Sequence, residues 1–362
     1  MKVCYLTNLP APYTVEFFNE LGKLCELTVI YERESAADRD EKWRSEADSC
    51  YKEIFLHGLK IGSENSFCPQ VVKYLKDDFD AIVIGVYSTF TAMVAIRYLI
   101  KKKREYYFST DGGFIKEETT GKRKLKTYLI GNAKGWFSPG SNTDKYLEYY
   151  GAKSEKIYRY PFTSLDCGDI LSEPLDEKKK TELRKRLNLP EGTLAIGVGQ
   201  FIHRKGWDIL IDAIFRDSSL SNIHFLIVGG EENQFNSLIQ SPIPDNVRII
   251  PFISKRELFE YYRAADFFVL PTREDIWGLV VNEALACGLP VITTDKCNAG
   301  IELINDGING YLCKTDDESL AYAVSRICKD DLMKMSKEAI ASIGKYTYSN
   351  MAERYYEEIE TN

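Results

Sequence analysis

Asp275 and Glu283 stand eight residues apart in the stretch "REDIWGLVVNEALACGLPVITTD", with Gly278 between them and an apolar, β-branched run behind them. Two carboxylates can grip sugar-type hydroxyls bidentately. A glycine at a helix start lets the backbone approach a ligand closely. If Asp275 lies in a turn and Glu283 about one and a half turns into a helix, both acids reach one pocket. The N–H groups of Trp277, Gly278, Leu279 and Val280 then point at an anion held there. Taken alone, the same residues read better as an N-cap and a surface acid. A second constellation lies upstream in "GVGQFIHRKGWDILIDAI", where Arg204, Lys205 and Gly206 fall between a strand pattern and an amphipathic helix. A helix N-terminus with two cations suits a phosphate or diphosphate. A third is "YYFSTDGGF", where Asp111 follows a strand and precedes Gly112 and Gly113. There it either orients or deprotonates a hydroxyl, or is a simple turn residue.

Strands must carry these loops. Short apolar runs alternate with helical patterns, and the series occurs twice, restarting at "LAIGVGQF". Alternation of this kind predicts βαβ units, parallel sheets and an α/β fold with two doubly wound domains. The polar, Gly- and Pro-containing stretch "SLDCGDILSEPLDEKKK" marks the boundary, giving domains over 1–165 and 166–345. The final helix, 346–362, is expected to pack back on the first domain, with Ser349 or Asn350 as its cap. Ligands of doubly wound sheets bind beyond the carboxyl ends of the strands, where all three constellations fall.

Composition excludes several classes. The chain has 362 residues, 44% hydrophobic and 12% aromatic, as globular proteins do. No apolar run reaches the ~18 residues of a spanning helix, and the N-terminus reads as a strand rather than a signal peptide. The nine cysteines form no CxxC pair and the three histidines show no ligand spacing, so no disulfide framework or zinc site is expected. Asp38-Arg39-Asp40 has the outline of a metal-binding DxD but reads as a solvated loop. No GxGxxG follows the first strand, against a nicotinamide dehydrogenase. The net charge is −7, yet between Arg97 and Lys134 eleven cations face four acids. That patch suits an anionic surface or ligand. It has few interleaved aromatic residues, against nucleic acid.

"EDIWGLVVNEALACGLPVITTD" resembles the signature of the retaining glycosyltransferases of family 4 (glycosyl transferases group 1), of GT-B fold. Their mark is an acid, seven residues, a Glu, then an A-x-G-x-P-V strand. Asp275 stands where the family usually has Glu, and Glu283 matches. "RKGWDILIDA" resembles the family's donor-phosphate loop, with Gln200 after Gly199 where an Arg is common. "NAGIELINDGINGYL" resembles the following segment. The first half is less similar: "NLPAPYTVEFFNEL" lacks the usual glycine pair, Pro10 and Pro12 stiffen that loop, and Asp111 stands where a His is common. Tyr13 is placed at the cleft or in the core, Phe17 in the core.

The resemblance implies two Rossmann-like domains facing an interdomain cleft, with the acceptor on the first and the nucleotide-sugar donor on the second. It implies a hexosyltransferase moving a sugar with retention from a nucleotide-diphosphate sugar, UDP-sugar favoured over GDP-sugar, without metal or other cofactor. Glu283 would hold ribose hydroxyls, Asp275 the donor sugar, and Arg204 and Lys205 the leaving diphosphate. Gly199, Ile253, Trp277, Gly278, Leu279 and Val280 complete the donor set, and Asp111 joins Arg204, Lys205 and Asp275 as catalytic. The acceptor would be a glycan or polyprenyl-diphosphate-linked sugar of bacterial surface polysaccharide (capsule, exopolysaccharide or lipopolysaccharide). The enzyme would be cytoplasmic and peripheral on the inner face of the plasma membrane through the basic patch 97–134, with no nucleic-acid partner. An inverting GT-B transferase with Asp111 as base, a nucleotide-sugar epimerase and a non-catalytic two-lobed sugar-binding protein are the alternatives.

Overall fold

The computed structural model describes residues 1–34, 49–61, 65–239 and 241–361. The Asp38-Arg39-Asp40 triplet lies outside them. The chain divides into two compact units, one of residues 1–163 with 347–362, the other of residues 164–346.

Among the described residues the main sheet of the first unit has seven strands: β1 (Lys2–Thr7), β2 (Glu26–Tyr31), β3 (Lys52–Phe55), β6 (Ala81–Ile84), β7 (Tyr107–Ser109), β8 (Gly135–Ser138) and β9 (Ile157–Arg159). Their order is β3-β2-β1-β6-β7-β8-β9, and every pairing is parallel. Parallel strands are covered on both faces, which is why β1 and β6 read as unbroken apolar runs. Helices α1 (Pro12–Leu24), α2 (Val71–Tyr74), α3 (Phe90–Lys102), α4 (Thr120–Ile130) and α5 (Ser141–Tyr149) connect them. An antiparallel hairpin of β4 (Leu59–Ile61) and β5 (Asn65–Phe67) follows β3, with no prior sign in the sequence.

The second unit carries six parallel strands, β10 (Thr193–Val198), β11 (Ile223–Val228), β12 (Val247–Ile250), β13 (Phe267–Leu270), β14 (Val291–Thr294) and β15 (Gly310–Cys313). Its helices are α6 (Glu177–Arg186), α7 (Trp207–Arg216), α8 (Glu232–Leu238), α9 (Lys255–Ala264), α10 (Leu279–Ala286), α11 (Asn298–Leu303), α12 (Asp317–Ile327) and α13 (Leu332–Ile343). The strand order β12-β11-β10-β13-β14-β15 is the dinucleotide-fold order 3-2-1-4-5-6. Each sheet therefore reverses once, between β1 and β6 in the first and between β10 and β13 in the second. This is the doubly wound α/β architecture expected of the GT-B class.

The last helix, α14 (Tyr348–Thr361), belongs to the first unit. Tyr355 stacks on Phe137 with centroids 3.9 Å apart and planes at 10°, and meets Phe17 of α1 at 4.9 Å. The cap is Thr347, whose Oγ1 accepts from the Asn350 N–H at 3.3 Å. The helix starts before Ser349 and Asn350, so neither caps it as expected.

Candidate active site

The loops after β10 and β13 meet at the switch point of the second sheet. After β10 the chain makes a 3-10 turn over His203–Lys205, and Gly206 follows with φ 73°. A Cβ on Gly206 would lie 2.0 Å from the Pro271 carbonyl oxygen, so only glycine lets the two loops touch. Further bonds join them. The Arg273 N–H and the Thr272 hydroxyl donate to the Arg204 carbonyl at 2.8 and 3.0 Å, and Arg204 Nη1 donates to the Glu274 carbonyl at 2.9 Å. Arg273 grips Asp208 on α7 with both guanidinium branches, at 2.7 and 2.6 Å.

Lys205, Arg204 and Asp275 meet in this frame. Lys205 Nζ lies 2.5 Å from Asp275 Oδ2, and Arg204 Nη1 lies 3.9 Å from Asp275 Oδ1. The Lys205 and Asp275 side chains are 12% and 11% exposed, Arg204 40%. Two members are thus held inside while the guanidinium reaches solvent. Gly199 backs the cluster, its Cβ direction 3.4 Å from the Lys205 stem. Asp275 is not the cap of α10. Gly278 takes that position, with φ 102°, and a Cβ there would lie 2.7 Å from Cys297 Sγ. Asp275 is fixed by its backbone instead, donating to the Lys296 carbonyl at 2.8 Å and accepting from the Asn298 N–H at 3.2 Å. The Cys297 thiol donates to the Trp277 carbonyl at 3.2 Å, and burial pushes its pKa up to about 12. It is a structural thiol, not a nucleophile. The Trp277 ring is buried and donates to Asn282 Oδ1 at 3.0 Å. Its main chain leads through Gly278 into Leu279 and Val280 at the start of α10.

Glu283 belongs to a separate cluster. Its carboxylate accepts from the Ser164 hydroxyl at 2.8 Å and the Tyr262 hydroxyl at 3.2 Å. Lys255, which opens α9, donates to the Ser164 carbonyl at 2.6 Å and to Asp169 at 2.7 Å. Burial raises the Glu283 pKa, while the two hydroxyls and the Lys255 charge oppose that rise. Ile253 lies half-buried in the turn before α9. The two acids therefore hold different partners, cationic for Asp275 and hydroxylic for Glu283. Ser164, Lys255 and Tyr262 lie far along the chain from Glu283, and nothing in the local pattern marks them.

At the switch point of the first sheet lies a cavity of about 170 Å³ with Asp111 in its wall. Tyr13, at the start of α1, donates to Asp111 Oδ2 at 2.9 Å. The loop after β7 is tied down on both sides of Asp111. Tyr160 donates to the Thr110 carbonyl at 3.0 Å, and Glu118 binds the Tyr150 hydroxyl at 2.5 Å and Lys126 at 3.0 Å. Asp111 keeps an exposed edge, yet protein crowds its carboxyl. This desolvation pushes its pKa up to about 6, with the Tyr13 hydrogen bond pulling the other way. Phe17 is buried at 2% exposure, in the core as expected.

Residues 179–347 match the family described as Glycosyl transferases group 1. The match covers just under half of the chain. The group 1 segment holds Arg204, Lys205, Asp275 and Glu283, while Asp111 lies before it. Among curated relatives, D-inositol 3-phosphate glycosyltransferase of Xylanimonas cellulosilytica is 29% identical over 49% of this chain and 43% of its own length. An uncharacterized 41.2 kDa protein in the cps region of Klebsiella pneumoniae is 26% identical over 82% of this chain and 84% of its own. The chain spans half the length or less of several curated relatives it matches. Among solved structures, Anabaena Alr3699/HepE in complex with UDP is 15% identical with a TM-score of 0.79, covering 100% of both chains. WaaG, a glycosyltransferase involved in lipopolysaccharide biosynthesis, is 16% identical with a TM-score of 0.74, covering 99% of this chain and 100% of its own. At such identities the likeness establishes the fold, which extends from the group 1 segment through the first unit.

The basic patch ahead of the group 1 segment is less uniform than its sequence. Lys126 is paired with Glu118 and Lys134 with Glu105, at 3.0 and 2.8 Å. Arg104 is spent on the Leu75 and Asp77 carbonyls. Lys101, Lys102 and Lys103 remain exposed at the end of α3, and Lys122, Arg123 and Lys124 on α4, beside exposed Ile115, Leu125 and Tyr128. No described helix is long and apolar enough to cross a membrane. No described group of three or more His, Cys, Asp or Glu is arranged to hold a metal.

Proposed function

We propose that this protein is a retaining glycosyltransferase that uses a nucleotide-diphosphate sugar. The observation that carries the reading is the Arg204–Lys205–Asp275 cluster at the switch point of a group 1 domain, beside the start of α10. Two cations next to a helix N-terminus form a diphosphate site. Diphosphate charge grows as the bond to the sugar breaks, so fixed cations act most strongly there. Lys205 and Arg204 hold that charge, and Asp275, released from Lys205, holds the donor sugar. Glu283 exchanges its Ser164 and Tyr262 hydroxyls for those of the ribose. The uridine nucleotide is favoured because the fold neighbour HepE is named as a complex with UDP, and with UDP-glucose.

On the first unit the acceptor hydroxyl gives its proton to Asp111. Its oxygen bonds the donor's anomeric carbon on the face from which the diphosphate departs, which keeps the configuration; the bond from that carbon to the diphosphate oxygen breaks, and the nucleoside diphosphate leaves with the electron pair. A carboxyl near pH 6 suits that task at neutral pH. It would equally serve an inverting transferase, and the anomer of the product decides between them. The acceptor is a glycan or lipid-linked sugar of a surface polysaccharide, a reading favoured by the cps-region relative. The exposed Lys101–Lys103 and Lys122–Lys124 clusters with Leu125 and Tyr128 support docking on an anionic membrane. Flotation with phosphatidylglycerol vesicles checks this, and no binding at low salt removes it.

The decisive test of the donor assignment is calorimetry against UDP, GDP, ADP and CMP without added metal. Tight binding of one diphosphate, lost in Lys205→Ala and in Glu283→Ala, supports it. A folded protein that binds none of the four overturns it.

A further inference from the structure

The cavity of the first unit is lined largely by aromatic residues. Its walls include the rings of Tyr5, Tyr13, Phe17, Tyr160, Phe162 and Tyr355, drawn from β1, α1, α14 and the end of β9. Among the described lining residues Asp111 is the one charged side chain. A phosphate placed there would face a carboxylate with no cation to offset it. A sugar ring has the complementary chemistry: its C–H groups lie against the aromatic and apolar wall, and its hydroxyls meet the Tyr13 phenol and the carboxylate. Size agrees. About 170 Å³ holds roughly five or six waters at ~30 Å³ each. That is room for one monosaccharide ring and well below the ~300 Å³ at which larger ligand pockets begin.

Tyr13 is set for a particular part in this. Pro12 occupies the first helical position of α1 and fixes the chain direction there. The Tyr13 ring lies edge-on to Phe162 with centroids 5.7 Å apart, and its hydroxyl donates to Asp111 Oδ2 at 2.9 Å. The other carboxylate oxygen, Oδ1, is left for an incoming hydroxyl. Two other hydroxyls of the lining are committed: Tyr160 to the Thr110 carbonyl, and Tyr355 of α14 to Ser109 at the end of β7, at 2.6 Å. Tyr5 of β1 also faces it.

We propose that this cavity receives one neutral sugar ring, the reacting residue of the acceptor, and that Tyr13 positions the Asp111 carboxylate that takes its hydroxyl proton. The proposal rests on the transferase reading and narrows it. Any phosphate of a lipid-linked acceptor stays outside the cavity, and the sugar, not its anion, is what the first unit selects.

Saturation-transfer NMR on the full chain tests it, with methyl α-glucopyranoside, methyl α-galactopyranoside and methyl α-mannopyranoside as probes and inorganic phosphate as competitor. At least one glycoside is expected to bind, undisturbed by phosphate, and to bind at least fivefold more weakly in Tyr13→Phe and Asp111→Asn. A carboxyl ¹³C titration, with Asp111 assigned through Asp111→Asn, separates positioning from packing. Loss of the Tyr13 hydrogen bond in Tyr13→Phe moves the Asp111 titration upward, which a purely structural tyrosine would not do. Absence of any glycoside signal, displacement by phosphate, or an unmoved titration overturns the proposal. UDP calorimetry on the same samples keeps the two readings apart. Glycoside binding without UDP binding sinks the donor site alone, and UDP binding without glycoside binding sinks this one alone.

Discussion

Lys205 and Asp275, seventy residues apart in sequence, form an ion pair of 2.5 Å at the one place where the second sheet reverses direction. The pair binds the candidate phosphate cation to the candidate sugar acid, so a diphosphate must compete with Asp275 for Lys205. Lys205→Ala is expected to weaken UDP binding by roughly 10- to 100-fold, the worth of a charge-assisted hydrogen bond of ~1.5–3 kcal/mol. Asp275→Asn is expected to leave UDP affinity equal or tighter while sugar transfer collapses. Paired calorimetry and turnover on the two variants check this, and equal losses of UDP affinity in both would argue against competition.

Glu283 offers a conflict between stability and function. Burial raises its pKa, so the folded state binds the proton more tightly than the unfolded one. The resulting stabilisation is present below the unfolded pKa and is lost as pH rises through the folded value. At neutral pH the ionised carboxylate is therefore a cost to folding. Glu283→Gln is expected to melt higher than the parent at pH 7, with the difference vanishing toward pH 4, while UDP affinity falls. Melting curves across that range read the first effect and calorimetry the second.

Asp111 predicts a pH limb. With its pKa raised to about 6 by desolvation, the carboxyl is protonated in acid and cannot act there as the proposed base. Turnover is expected to fall as pH drops through about 6. Asp111→Asn should flatten that limb and lower kcat by roughly 10²–10⁴-fold, the usual share of general base catalysis. UDP affinity should stay unchanged.

Gly206 is where the loops after β10 and β13 touch. Gly206→Ala would place a Cβ 2.0 Å from the Pro271 oxygen at a φ of 73°. Backbone strain of this kind costs ~1–3 kcal/mol. The two loops must separate, and Lys205 is expected to lose Asp275. A lower melting temperature together with weakened UDP binding is the expected result. Gly121→Ala, on an exposed helical site with nothing within 4 Å of its Cβ, serves as the neutral control.

Much of this architecture is legible in the residues, because parallel sheets leave apolar runs and helix caps leave glycine. All thirteen strands of the two main sheets fall on runs such as "KVCYLTN" and "ADFFVLPT". The β4–β5 hairpin escaped because its three-residue strands carry no periodicity. Side-chain partnerships were less readable. "RKG" and the spacing of Asp275 and Glu283 point to one pocket, but not to the Lys205–Asp275 pairing or to the Ser164 and Tyr262 hydroxyls on Glu283. Those contacts join segments far apart in the chain. Lys126 shows the converse: in the sequence it is one cation of a patch, whereas folding spends it on Glu118 and the Tyr150 ring.

The place of α14 governs how the protein is made. Tyr355 fills the centre of a unit whose other parts end at Thr163. The ribosome must therefore translate the entire second unit before the first can close its core. At ~5–20 residues per second, that wait is roughly 10–40 s. Through it, Phe17 and Phe137 lack the ring that covers them, while the second unit, contiguous in sequence, can already be native. Synthesis from the N-terminus thus yields folding in reverse order, and a nascent chain stalled before Tyr348 would present an unfinished aromatic surface to chaperones.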